Sequence, residues 1–183
     1  DKAIKDFDNA LRVNPEYADA HNNRGFALMQ LERLDEAIEA FTSALAANPD
    51  YLNAVTNRAR AYSLLKRPNE AVADYSRAIE LSPATLQIYL LRAAEYRVLG
   101  REQDAHKDVE HVEWNTTLVT LDQRVRKQPR NPETWIAKGR HFLTGGKSDP
   151  ARECFVQALK LAPASTAARL GLAAAELRAG NFE

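Results

Sequence analysis

Residues 35–51 read Asp35-Glu36-Ala37-Ile38-Glu39-Ala40-Phe41-Thr42-Ser43-Ala44-Leu45-Ala46-Ala47-Asn48-Pro49-Asp50-Tyr51, and 34 residues later the chain repeats the message as Asn69-Glu70-Ala71-Val72-Ala73-Asp74-Tyr75-Ser76-Arg77-Ala78-Ile79-Glu80-Leu81-Ser82-Pro83-Ala84-Thr85. Alanine, an aromatic, alanine and proline recur at fixed offsets: Ala37/Ala71, Phe41/Tyr75, Ala44/Ala78 and Pro49/Pro83. The same set stands earlier as Ala3, Phe7, Ala10 and Pro15, and later, out of step, as Ala151, Phe155, Ala158 and Pro163. The apolar residues fall three or four apart, so each stretch is one face of a helix. Asn48-Pro49 ends it, because a residue before proline avoids the α region. Self-similarity at this period marks a solenoid of stacked helices, in which each unit buries its apolar face only against its neighbours.

Working outward, each such helix is preceded by another. In 18–51 the first helix is expected from about Ala18 to Leu31, with Gly25, Leu28 and Leu31 on its packed face, and the second from about Asp35 to Ala47. Unit 52–85 repeats this with Ala59 and Tyr62, and Pro68 opens its second helix, where a missing N–H costs little. Unit 132–165 carries Trp135, Gly139, Phe142 and Gly146, then Ser148-Asp149-Pro150 as a cap and first turn. Gly25, Ala59, Ala93 and Gly139 stand where two helices should approach closely. A larger side chain there should cost ~1–3 kcal/mol, and truncating an inter-unit aromatic to alanine ~3–5 kcal/mol.

This pattern resembles the tetratricopeptide repeat family, whose units place an aromatic, then Gly or Ala, then a bulky residue, then Ala, an aromatic, Ala and Pro at set offsets. Residues 132–165 match most fully; His21 and Val55 replace the first aromatic in units 18–51 and 52–85. The resemblance implies an all-α, right-handed superhelical solenoid of antiparallel helix pairs, about ten helices in all. The expected organisation is one array over 1–183: a half repeat at 1–17, repeats at 18–51, 52–85 and 86–119, an insertion or extended helix at 113–131, a repeat at 132–165 and a half repeat at 166–183 that ends in the turn Gly180-Asn181-Phe182-Glu183. Beginning and ending in mid-repeat, without a polar cap at either end, the chain reads as a segment of a longer protein.

Two further features interrupt the period. The fourth unit starts 46 residues after the third, twelve too many. The apolar stripe Ala105, Val109, Val112 is followed by Leu118, Leu121, Val125, and twelve extra residues at ~100° per residue shift the register by about 120°. An extended helix is favoured; a break near Asn115–Thr117 with a restart capped by Thr120 and Gln123 is the other reading. Arg24, Arg58, Arg92 and Lys138 share one repeat position, and Asp6, Asp74 and Asp108 share another. Cations beside packing seams are usually paired. The pairs available are Arg58–Asp74 and Arg92–Asp108 within units, or Asp6–Arg24 and Asp74–Arg92 across them.

The chemistry of the chain is mostly exclusion. Its 25 basic and 25 acidic residues leave no net field to draw in nucleic acid or an anionic membrane. No apolar run approaches the ~20 residues of a membrane span. One cysteine, Cys154, forms no internal disulfide and suits a reducing, cytoplasmic setting, although a start at Asp1 also fits a removed leader. Gly145-Gly146-Lys147-Ser148 ends like a phosphate-binding loop, but His141 stands where the motif needs its first glycine, and a helix precedes it rather than a strand. His106 and His111, five apart, fall on different sides of a helix. Neither a metal, a cofactor nor catalysis is expected. The cluster Arg124, Arg126, Lys127 and Arg130 complements the negative end of a helix dipole.

What remains is binding. The family resemblance puts the first helices on a concave face, where this chain carries Asn23, Phe26, Met29, Asn57 and Arg60, then Leu90, then Ile136, Arg140 and Leu143. Asn23 and Asn57 hold matching positions. Side-chain amides both donate and accept, so such a row can pair with the backbone of an extended peptide. The row stops after two, since Leu91 and Ala137 follow. Of the set with which some relatives clamp a peptide's terminal carboxylate, only Asn57 has a counterpart. The reading is a non-catalytic scaffold holding a peptide or helix of a partner protein. The alternatives are self-assembly through the half repeats and a targeting segment of a larger enzyme.

Overall fold

A computed structural model describes residues 2–180. Among them are ten helices and no strand, so the chain is an all-α helical repeat array. In chain order these are α1 (Lys2–Val13), α2 (Ala18–Gln30), α3 (Leu34–Ala47), α4 (Leu52–Leu64), α5 (Pro68–Leu81), α6 (Leu86–Val98), α7 (Glu102–Lys127), α8 (Pro132–Thr144), α9 (Ser148–Leu161) and α10 (Thr166–Ala179). They form two compact units, divided between Val112 and Glu113.

The turn from first to second helix is built the same way each time. Glu32, Lys66, Gly100 and Gly146 have φ between 57° and 70°, and Gly180, which closes α10, has φ 75°; the rest of the turn expected there, 181–183, lies outside the described residues. That left-handed region is free to glycine and strained for the Cβ of Glu32 and Lys66. Asn131 caps α8 by accepting from the Glu133 N–H at 3.0 Å, and Ser165 caps α10 through the Ala168 N–H at 3.3 Å.

In the first unit two apolar clusters share the packing. One joins Ile4, Leu28, Met29, Ala37, Ala40, Phe41 and Ala61; the other centres on Val55, Tyr75, Ala78 and Ile88. In the second unit Ile136, Ala151, Phe155, Ala158, Ala168 and Ala175 form the cluster. The small residues are spacers for rings. A Cβ on Gly25 would lie 2.6 Å from Phe41, and one on Gly139 2.8 Å from Phe155. The nearest approach of this kind is at Gly171, whose Cβ would come within 2.3 Å of Phe155, a constraint the repeat pattern did not reveal.

The cation ladder is internal pairing. Arg58 grips Asp74 with two bonds of 2.7 and 2.8 Å and adds a third to Thr42 at 3.0 Å. Arg92 repeats this with Asp108 (2.8 and 2.7 Å) and Ser76 (3.0 Å). Arg24 departs from the expected Asp6 pairing and takes Asp8 at 2.7 Å. The reason is positional: Asp8 precedes Arg24 by 16 residues, as Thr42 precedes Arg58 and Ser76 precedes Arg92. Sixteen residues after Arg24 stands Ala40, so the carboxylate has moved to the preceding helix. Lys138 follows the same rule, pairing with Asp122 at 2.7 Å where its own second helix offers Cys154. Each rung thus carries one carboxylate, on one side or the other of the cation.

That register explains the twelve extra residues. Asp122 occupies the position of Asp8, and Leu121, Val125 and Pro129 those of Phe7, Leu11 and Pro15. The later part of α7 is therefore a second helix of the repeat, written again without a first helix before it. It continues the earlier one unbroken: the Thr120 hydroxyl donates to the Thr116 carbonyl at 3.0 Å, inside the helix rather than capping a new one. Trp114 fixes this stretch to α8. Its ring stacks on His141 with centroids 4.9 Å apart. His141 Nε2 donates to the Trp114 carbonyl at 2.9 Å, and Lys147 Nζ lies 4.3 Å from the ring centre.

Candidate functional site

In the first unit α2, α4 and α6 stand side by side as first helices, and their faces enclose a groove of about 600 Å³. Asn22, Asn23 and Phe26 come from α2, Asn53, Asn57 and Arg60 from α4, and Gln87 and Leu91 from α6. Four residues expected there, Asn23, Phe26, Asn57 and Arg60, are brought together. Phe26 is 44% exposed, a large ring left open to solvent at the groove wall. Leu90 is also exposed, at 39%, but Leu91 rather than Leu90 lines the groove.

The asparagines do not stand as separate ligands. Asn57 Nδ2 donates to Asn22 Oδ1 at 3.1 Å, and Asn22 Nδ2 donates to Asn23 Oδ1 at 3.4 Å, a long bond. Asn22, only 6% exposed, is the middle of the chain of three. The 34-residue period singles out Asn23 and Asn57 and gives Asn22 no such role. The signal was its neighbour 35 residues on, one step off the repeat.

Two expected groove residues are core residues instead. Met29 is 7% exposed, packed with Leu28 and Phe41, and Ile136 is 1% exposed in the cluster around Phe155. The cause is helical pitch: about 3.6 residues per turn carries one position of a nominally exposed row round to the packed side. Arg140 is exposed and Leu143 half-buried on α8, in the second unit. The Leu143 carbonyl accepts from Arg178 at 2.5 Å.

The second unit has a cavity of about 610 Å³ of different character, lined by Trp135, Lys138, Phe142, Cys154, Leu172 and Glu176 among others. Burial pushes the Cys154 thiol up to about 11, so it stays protonated at neutral pH and is a poor nucleophile. In the first unit, burial, followed by the nearby Glu95, raises the Tyr75 phenol to about 12. Burial and the hydrogen bond to Asp19 at 2.5 Å do the same for Tyr51. Among the described residues no three His, Cys, Asp or Glu side chains are placed to hold a metal ion, and no helix is long and apolar enough to cross a membrane.

The sequence profile of the tetratricopeptide repeat matches residues 1–51, 27–85 and 136–183. The chain belongs to the tetratricopeptide repeat family. The matches leave out 86–135, the stretch that holds the third unit and the doubled second helix. No curated protein matches the chain. Solved structures do, as folds: MamA, at 18% identity, covers 86% of this chain and 85% of its own with a TM-score of 0.57. A tetratricopeptide repeat protein from Parabacteroides merdae, at 19% identity, covers 97% of this chain and 66% of its own with a TM-score of 0.54. The second TPR of Spaghetti (RPAP3), bound to the HSP90 peptide SRMEEVD, shares 28% identity over 52% of this chain and 88% of its own, with a TM-score of 0.50.

Proposed function

We propose that this protein is a non-catalytic interaction scaffold that holds an extended segment of a partner protein in the groove of its first unit. The observation that carries the reading is the set of side-chain amides, Asn23, Asn57 and Gln87, beside the exposed ring of Phe26 and the half-buried Leu52 and Leu91. Amides meet the invariant backbone of a peptide, and apolar walls take alternate side chains. Arg60, exposed at the edge, suits an acidic group on the same segment. The bound peptide of Spaghetti's second TPR supports the reading in kind. Arg140 and Leu143 offer the matching positions of the second unit, for a segment bound there. This reading needs no cofactor, nucleic acid or membrane.

The test is a peptide selected on the wild-type chain from a random library, its affinity then measured against Asn23→Ala/Asn57→Ala. Losing two amide contacts at about 1 kcal/mol each lowers affinity roughly tenfold or more; undiminished binding would sink the groove.

A further inference from the structure

We infer that Asn22 is a positioning residue that couples the amides of Asn23 and Asn57, so that one always offers the groove a donor while the other offers an acceptor. The inference rests on the groove reading above and adds a rule for what the groove recognises. It follows from hydrogen-bond polarity along the chain of three. Asn22 Oδ1 accepts from Asn57 at 3.1 Å, and Asn22 Nδ2 donates to Asn23 at 3.4 Å. Asn57 thereby commits one N–H to Asn22 and keeps its oxygen uncommitted within the three. Asn23 commits a lone pair of its oxygen to Asn22 and keeps both of its N–H groups uncommitted within the three.

Neither amide reverses alone. Turning Asn57 by half a rotation sets its oxygen against the oxygen of Asn22, and two acceptors facing each other leave a buried group unpaired. Asn22 is only 6% exposed, so water replaces such a bond poorly. A reversal must therefore carry all three amides together, and the opposition of Asn23 to Asn57 survives it. A peptide backbone presents C=O and N–H groups in a fixed order along the chain, so a groove with one donor and one acceptor at set positions selects the register, and the direction, of the bound segment. The shorter bond makes the constraint tighter at Asn57 than at Asn23.

The experiment uses the library-selected peptide, remade as a series in which single backbone amides are replaced by esters, each removing one N–H donor. On the wild-type chain one ester position, the N–H received by Asn57, loses about tenfold in affinity. Asn22→Asp supplies only acceptors, so Asn23 and Asn57 both donate to it and both turn oxygens to the groove; two ester positions then become sensitive. Asn22→Leu frees both amides, and the sensitive position fades to less than threefold. Two variants keep the result readable if one fails to fold, as circular dichroism would reveal. An ester profile identical in the wild type and in the folded variants overturns the coupling while leaving the groove intact. Failure of the selected peptide to respond to Asn23→Ala/Asn57→Ala overturns both.

Discussion

The two units are written in one repeat and differ in what they spend it on. Residues 1–112 carry 14 basic and 18 acidic side chains, and residues 113–183 carry 11 and 7. The neutral total therefore hides two opposite fields, each acting within a Debye length of roughly 8–10 Å. The rungs differ too. In the first unit two arginines hold buried aspartates by paired bonds. In the second a lysine holds the more exposed Asp122 by one, and a cysteine fills the aspartate position. The first unit lines its groove with amides; the second lines its cavity with Trp135, Phe142 and Leu172. A repeat fixes where side chains meet and leaves free which chemistry meets there.

The comparison breaks most sharply at the rings. Phe155→Ala should destabilise the second unit by ~3–5 kcal/mol, because the Phe155 ring is the nearest neighbour of both Gly139 and Gly171. Hydrogen exchange should lose protection in α8–α10, with α2–α5 keeping theirs; a uniform loss would mean that the units fold as one. Next come the rungs. Asp74→Ala strands Arg58 in a site where both side chains are under a fifth exposed, and should cost about 2–3 kcal/mol, whereas Asp122→Ala should cost under about 1 kcal/mol. Denaturant titration of the two variants measures the gap, and equal costs would erase the distinction.

Alkaline titration sharpens the comparison further. Burial raises the Cys154 thiol from its ordinary 9.0 to about 11. The folded state then holds that proton more tightly than the unfolded chain does, so its contribution to stability is complete below pH 9 and drains away as pH rises through 11. Tyr51 and Tyr75, raised from 10.0 to about 12, should act likewise on the first unit, later in the titration. Cys154→Ala should abolish the earlier loss, read by exchange in α9, and leave the later one. The smallest effect is at the turns. Glu32→Gly and Lys66→Gly relieve a left-handed Cβ that Gly100 and Gly146 already avoid. Each should gain about 0.5–1 kcal/mol, the relief being partly offset by the greater freedom of glycine in the unfolded chain. A lowered melting temperature would show that those turns are not strained.

Sequence and structure agree where periodicity alone decides. Ala37, Phe41 and Ala44 are buried because any helix with that spacing must bury one stripe. The first-helix row was legible only in part. Phe26 and Arg60 stand in the groove, but Met29 and Ile136 turned inward, since the boundary between a groove face and a packed face is set by which neighbour lies alongside. Asn23 and Asn57 were recognisable as a row, while the role of Asn22 as their link was not, because the bond joins residues one step off the repeat.

The sequence by itself determined the period, the helices, their stops at proline and the kind of residue on each stripe, because these depend on local dihedral preference and on spacing along one helix. Only the tertiary structure decided which acid each cation takes, that the second-helix pattern is continued within α7, and how three asparagines share their hydrogen bonds. Those outcomes depend on distances between separate helices, where a shift of one residue exchanges one partner for another and the repeat offers several partners of equal standing.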